Sequence, residues 1–192
     1  ARMERPLILK AEPDSRPVSE DLRRMLMELA ALTDKLTVEW TPPSDGPERP
    51  CVRVLRADGT DTGIAFHGVP GGHEFNSFVV GLYNAAGPGQ SIDPALAEAI
   101  AAIDRPLDLQ IVVALSCTMC PELVIAAQKI AASNPLVTAK VYDVNHFPEL
   151  RERYKIMSVP CLIINKAKVA FGKKTLGQLL ELLAEPEAGQ TG

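Results

Sequence analysis

The sequence predicts an α/β protein made of two copies of one small unit, packed as one body, with a redox-active cysteine pair in the second copy alone. Three observations lead there. The order strand, helix, strand, hairpin, helix can be read twice along the 192 residues. Part of the text nearly repeats: Pro50-Cys51-Val52-Arg53-Val54-Leu55-Arg56 answers Pro160-Cys161-Leu162-Ile163-Ile164-Asn165-Lys166, and Ala65-Phe66-His67-Gly68 answers Ala170-Phe171-Gly172-Lys173, at offsets of 110 and 105. Finally, Cys117-Thr118-Met119-Cys120 stands where an apolar run gives way to a helical pattern. A period this long is no solenoid repeat, so each copy is a whole small domain.

The first copy is expected over residues 1–88. It opens with a short strand at Leu7-Ile8-Leu9, followed by a polar, proline-bearing loop to Pro17. A helix from Val18 to about Leu32 follows, because Leu22, Met25, Leu26, Leu29 and Leu32 recur at three- and four-residue steps. Leu36 to Trp40 reads as a strand and Pro42 to Pro47 as a loop. Cys51 to Leu55 and Gly63 to Phe66 form a hairpin across Asp58-Gly59, and a helix from about His73 buries Phe75, Phe78, Val79 and Leu82. A connecting helix is placed within residues 89–106, where Asp93 is the N-cap, Pro94 follows at the first helical position, and Leu96, Ile100 and Ile103 line one side.

The second copy is expected over residues 107–185. Its strand runs from Leu109 to Leu115, its cysteine-bearing helix to about Ala132, and its next strand from Val137 to Tyr142. A short helix near Phe147 to Tyr154 leads to strands at Cys161 to Asn165 and Val169 to Phe171. Thr175 and Gln178 make a capping box for the last helix, and residues 186–192 read as a polar tail or linker. Where the second copy has its cysteine pair, the first has Pro13-Asp14-Ser15-Arg16-Pro17, and the short helix ahead of its proline is reduced to a loop.

Two cysteines with a two-residue spacer at a strand-to-helix switch are the mark of a dithiol redox centre. Unpaired N–H groups and the positive end of the macrodipole at a helix N-terminus favour a thiolate, which makes Cys117 the nucleophile. Cys120, about one turn further on and inside the helix, is the resolving thiol. Pro121 gives up a donor that has no intrahelical partner there. The competing readings are a structural disulfide and half of a zinc site, and the second needs two more ligands nearby. Cys51 and Cys161 fall on strands and read as small core hydrophobes. Glu74 reads on its own as a first-turn acid favoured by the helix dipole. Pro160 opens a hairpin strand, and a cis bond there suits a tight turn and exposes backbone groups of Val159 for substrate docking. His67, His146, Arg105, Lys129, Lys173 and Lys174 are read as surface groups.

Composition narrows the class. A formal charge of −4 gives no footprint for nucleic acid, and no apolar run approaches the ~20 residues that cross a bilayer. The start of the sequence lacks the apolar core of a secretion signal, and one close cysteine pair among four is no extracellular framework, so the cytoplasm is expected.

Strand, Cys-X-X-Cys helix, strand, helix, and then Val159-Pro160 opening a hairpin resembles the thioredoxin fold, which sets a cis-proline against its dithiol. Two such folds in tandem, only the second with Ser116-Cys117-X-X-Cys120-Pro121 and the first carrying Gly72-His73-Glu74-Phe75-Asn76-Ser77, resemble the N-terminal domain of the flavoprotein (F) subunit of alkyl hydroperoxide reductase, over nearly the whole chain. That resemblance implies a role in peroxide detoxification. Electrons would pass from a dithiol on a thioredoxin-reductase-like flavoprotein module, in the same or a separate chain, to the disulfide of a peroxiredoxin. It implies that Glu74 lies near the cysteines and acts as acid or base. It also implies no cofactor in this chain, with FAD and NAD(P)H on the partner module; no Gly-X-Gly-X-X-Gly occurs in the sequence. Two other readings fit the residues: a free-standing protein disulfide oxidoreductase or glutaredoxin-like reductase of broad specificity, and a non-catalytic redox-sensing module whose silent half offers a docking groove.

Overall fold

A computed structural model of the chain describes residues 3–186; Ala1, Arg2 and all but the first residue of the expected tail lie outside them. The first half contributes β1 (Leu7–Glu12), α1 (Val18–Ala30), β2 (Leu36–Trp40), β3 (Cys51–Arg56), β4 (Asp61–His67) and α2 (Glu74–Ala86). After α3 (Pro94–Ala101), the second half contributes β5 (Leu107–Val113), α4 (Cys120–Ser133), β6 (Val137–Asp143), α5 (Pro148–Tyr154), β7 (Cys161–Ile164), β8 (Lys168–Phe171) and α6 (Leu176–Ala184). The strands form one sheet in the order β2-β1-β3-β4-β6-β5-β7-β8.

That order is one four-stranded pattern used twice. β1 pairs parallel with β2 and antiparallel with β3, as β5 does with β6 and β7. The halves join where β4 pairs parallel with β6, from Ile64 opposite Ala139 to His67 opposite Tyr142. Each half also has a cis-proline at the start of its hairpin, Arg49–Pro50 and Val159–Pro160. In each, that proline's carbonyl accepts an N–H from a glycine past the opposite strand, Gly68 at 2.8 Å and Gly172 at 3.0 Å.

Alternation along the strands divides the side chains between two faces. Leu7, Leu9, Val52, Val54, Ile64 and Phe66 face the layer of α1 and α2, as Leu109, Ile111, Val141 and Leu162 face α4. On the other face, α5 covers a second cluster of Val112, Tyr142, Phe147, Leu150, Cys161 and Ile163. The first half has no helix there, and its sheet surface is correspondingly polar. Glu12 and Arg53 occupy the register positions of Val112 and Ile163, and they pair with each other at 3.6 Å.

The two central helices differ for the same kind of reason. α4 is flanked by α2 and α6 and buries Val124, Ala127, Gln128 and Ala131 together with the sheet-facing positions. α1 has a helix neighbour on neither flank of that kind, and it buries one stripe, Leu22, Leu26 and Leu29. Its outer side carries exposed Arg23, Arg24, Met27 and Glu28, with the Arg23 guanidinium 4.3 Å from the Trp40 ring centre beside the edge strand β2.

Several expectations are corrected. α1 ends at Ala30, so Leu32 lies beyond it and is exposed. Phe75 is not buried: α2 turns Glu74, Ser77, Phe78, Gly81 and Leu82 inward, which puts position 75 on the outer side. β5 stops at Val113, because Ala114 and Leu115 give their carbonyls to a turn and to α2. His67 is only 3% exposed, stacked on Tyr142 with 4.1 Å between ring centres, and its Nδ1 lies 2.6 Å from the Glu48 carbonyl. The expected solvated charges instead hold carbonyls: Lys129 donates to Gln90, Arg105 to Leu183 and Lys174 to Phe171.

Candidate functional site

Parallel strands β4, β5 and β6 end at one edge of the sheet, so the turns that follow them meet there. The turn after β5 carries the cysteines. Cys117 donates its N–H to the Ala114 carbonyl at 2.9 Å, so it lies in a tight turn ahead of α4. The helix itself opens at Cys120, with Pro121 in its first turn. Cys117 therefore precedes the helix, contrary to the sequence expectation, while the sulfur it is bonded to belongs to the helix's first residue.

Cys117 and Cys120 form a disulfide with 5.6 Å between Cα atoms, inside the ordinary range for such bridges. Cys120 is fully buried and Cys117 half-buried, so an incoming reagent reaches Cys117 Sγ first. That sulfur lies 3.9 Å from the carbonyl oxygen of Val159, the residue before cis-Pro160. Exposed Met119 in the turn and Met157 just ahead of Val159, the latter 90% exposed, present apolar surface in the two segments that meet at the sulfur. Cys51 and Cys161 are different: burial pushes their thiols up to about 12 and about 11, which makes them inert as nucleophiles. Among the described residues no group of three or more His, Cys, Asp or Glu side chains is arranged to hold a metal ion.

The turn after β4 buttresses the cysteine turn. The His73 N–H donates to the Leu115 carbonyl at 3.0 Å, and Gly72, at φ 54°, makes that approach: a Cβ there would lie 2.5 Å from the same oxygen. Gly72→Val should therefore destabilise the domain by about 2–4 kcal/mol, since strain and a backbone clash add. Urea unfolding would check this, and a loss below about 0.5 kcal/mol would mean the two turns are not tightly coupled.

Glu74 opens α2 at 0% exposure, and neither carboxyl oxygen has a hydrogen-bond partner among the described residues. Burial pushes its carboxyl up to about 7, with the Ser77 hydroxyl pulling the other way. Its position follows from helix geometry. α2 and α4 leave the same sheet edge and pack side by side, and Gly81 of α2 abuts the Gln128 carboxamide of α4. Glu74 is seven residues above Gly81, about 10.5 Å at 1.5 Å per residue, and the same rise from Gln128 reaches Pro121. The carboxyl is thus level with the first turn of α4, where Cys120 lies.

The equivalent place in the first half is filled by its own side chain. Arg16 donates from Nη2 to the carbonyl of Arg49, the residue before cis-Pro50, at 2.5 Å, and from Nη1 to the His146 carbonyl at 2.8 Å. Its Nε donates to Asp14, 2.6 Å away, and its guanidinium lies 5.5 Å from the Phe147 ring centre. Asp14, although burial raises it, is held below its usual value by hydrogen bonds from Ser19 and Arg16. What Cys117 does against Val159, Arg16 does against Arg49, so this surface offers no open docking groove. Sequence reasoning misses the Arg16 clasp, the stacked His67 and the buried Ser77 and Gln128. The last has a signal in the sequence, a lone amide in an Ala, Ile and Val helix.

Comparison with known proteins fits this geometry. The thioredoxin domain family matches residues 107–184. The solved N-terminal domain of the flavoprotein (F) subunit of alkyl hydroperoxide reductase from Enterococcus faecalis superposes with a TM-score of 0.89 at 36% identity, covering 95% of this chain and 92% of that one. This chain belongs to that family of N-terminal domains. The corresponding flavoprotein (F) subunit of Pseudomonas aeruginosa is 31% identical over 98% of the chain and 35% of its own length. A protein of Ferdinandcohnia aciditolerans called NADH dehydrogenase is 31% identical over 98% of the chain and 36% of its own length. The chain thus spans about a third of the curated relatives it matches. In this family's terms, the second thioredoxin fold carries the dithiol and the first supplies the neighbouring helix α2.

Proposed function

We propose that the domain is a thiol–disulfide oxidoreductase that relays electrons from the dithiol of a flavoprotein module to the disulfide of a peroxiredoxin, within the reducing cytoplasm. The observation that carries this reading is the asymmetry of the disulfide, with one sulfur reachable beside the Val159 carbonyl and the other sealed in α4. Membership of the family of alkyl hydroperoxide reductase flavoprotein N-terminal domains supports the identity of donor and acceptor.

The incoming dithiol reduces the Cys117–Cys120 bond with two electrons. Cys117 thiolate then attacks one sulfur of the acceptor disulfide, forming a mixed disulfide and releasing the first acceptor thiolate. Cys120 gives its proton to the Glu74 carboxylate and attacks Cys117 Sγ; the mixed bond breaks and the second acceptor thiolate leaves. The domain ends oxidised by two electrons and the acceptor reduced by two. The extended backbone at Val159, turned toward the sulfur by cis-Pro160, serves as the ledge on which the acceptor's cysteine segment rests.

FAD and NAD(P)H belong to the donor module in this reading. The described residues do not fit them: the two strand-to-helix turns hold Pro13–Pro17 and the cysteine turn, and neither is a glycine-rich phosphate loop. The Arg16 clasp and the lack of cysteine in that first turn argue against a broad reductase with two working dithiols. The test is NADH oxidation by a thioredoxin-reductase-like flavoprotein, the domain and an oxidised peroxiredoxin. Turnover should require the domain, and an equal rate without it would defeat the reading.

A further inference from the structure

Between α2 and α4 runs a file of polar atoms that the reaction as described leaves idle. Glu74, Ser77 and Gln128 are all fully buried, and both Glu74 oxygens, Ser77 Oγ and both polar atoms of the Gln128 carboxamide lack hydrogen-bond partners among the described residues. Buried polar groups in folded proteins are almost always paired, and a seam needed only for packing would be apolar, as neighbouring Phe78, Leu82, Val124 and Ala131 are. Instead, room is left for an amide. A Cβ at Gly81 would lie 2.5 Å from Gln128 Oε1, so the carboxamide rests on the α2 backbone itself.

The three residues fall in order. Glu74, Ser77 and Gly81 are three and four apart and share one face of α2, so Ser77 lies between the carboxyl at the cysteine end and the carboxamide one turn further down. We propose that Ser77 and Gln128 are positioning residues for Glu74: the Gln128 amide donates, through one buried water, to Ser77 Oγ, and the Ser77 hydroxyl donates to the Glu74 carboxylate, holding it toward Cys120. This rests on the reading of Glu74 as the acceptor of the Cys120 proton. The relay supplies what an ionised carboxylate in this seam requires, a donor to take the place of water.

No cation does that job. On α4 the ionisable groups besides Cys120 are Glu122, which is exposed, and Lys129, whose ammonium is engaged by the Gln90 carbonyl at 2.9 Å. The adjoining turn brings Cys117, and α2 itself brings exposed His73. Beneath α2, strand alternation sends Lys10, Glu12, Arg53 and His67 to the far face of the sheet, opposite to Leu9, Ala11, Val54 and Phe66. Neutral hydrogen-bond donors are what remains.

The experiment is a carbon-13 NMR titration of the Glu74 side-chain carboxyl in the reduced domain, for the unaltered protein and for Gln128→Met, Ser77→Ala and Ser77→Thr. Loss of a donor should move the Glu74 midpoint up by about one pH unit in the first two variants, and threonine should restore it. Their rate of disulfide exchange at neutral pH should fall about 5- to 10-fold, with the pH profile displaced by the same amount. A Gln128→Met midpoint equal to that of the unaltered protein would overturn the relay, all the more with a raised thermal midpoint, the outcome of a merely structural amide. Ser77→Ala removes one atom and keeps the test open should Gln128→Met fold poorly. Exchange unchanged in Glu74→Gln would defeat the parent reading of Glu74 instead, while the midpoints in the other variants still report on the relay.

Discussion

Reduced Cys120→Ser protein mixed with an oxidised peroxiredoxin should accumulate a covalent adduct through Cys117, whereas Cys117→Ser should form none and lose turnover by at least about 1,000-fold. The asymmetry of burial dictates this. Cys117 Sγ is the sulfur within reach, so it forms the intermolecular bond; Cys120, fully enclosed, can act only on a bond that Cys117 has already made. Serine at 120 leaves the first attack intact and removes the second. Non-reducing electrophoresis followed by peptide mass spectrometry reads the bonded residue directly. An adduct through Cys120, or a Cys117→Ser protein with undiminished rate, would reverse the assignment of the two sulfurs.

The second large effect is on stability. The Glu74 carboxyl lies at about 7 in the folded protein against 4.5 in an unperturbed chain. Between those values the native state keeps a proton that the unfolded state has released, so this group's contribution is fully present below 4.5 and is lost as pH rises through 7. The shift corresponds to roughly 3 kcal/mol. Glu74→Gln has no such dependence, and its stability relative to the unaltered protein should grow by about that amount between pH 4.5 and pH 8. Buried His67, held below its usual value by desolvation, acts in the opposite sense, with stability lost as pH falls below 6.5. It does so in both proteins and cancels from the comparison. Urea unfolding of the oxidised pair at several pH values makes the measurement; a difference that stays flat with pH would mean the carboxyl finds solvent.

Much of this architecture is written locally. Apolar runs such as Leu109 to Val113 and helical stripes such as Leu22, Leu26 and Leu29 announce their elements, because each buries one face against one neighbour. The tandem thioredoxin fold follows from them and from the repeated hairpin text. Periodicity misleads where two distant segments share a surface. Phe75 looks like core until Glu74 takes the inward position, a place that an isolated helix would not give to a carboxyl. His67 looks solvated until β6 brings Tyr142 beside it. β5 ends two residues before its apolar run does, because the Leu115 carbonyl is claimed by His73, forty-two positions earlier. In each case the partner lies in the other half, and a pattern within a window cannot see it.

The charged outer side of α1 settles how many such units can be strung together. The flank that in α4 receives the preceding unit's helix is, in α1, a surface of Arg23, Arg24 and Glu28. A third unit added at that end, or another molecule seeking the same seat, would have to strip water from those charges while pairing with β2. Concatenation therefore halts at two, and the protein escapes the runaway fibre growth that an edge built for head-to-tail stacking would otherwise invite.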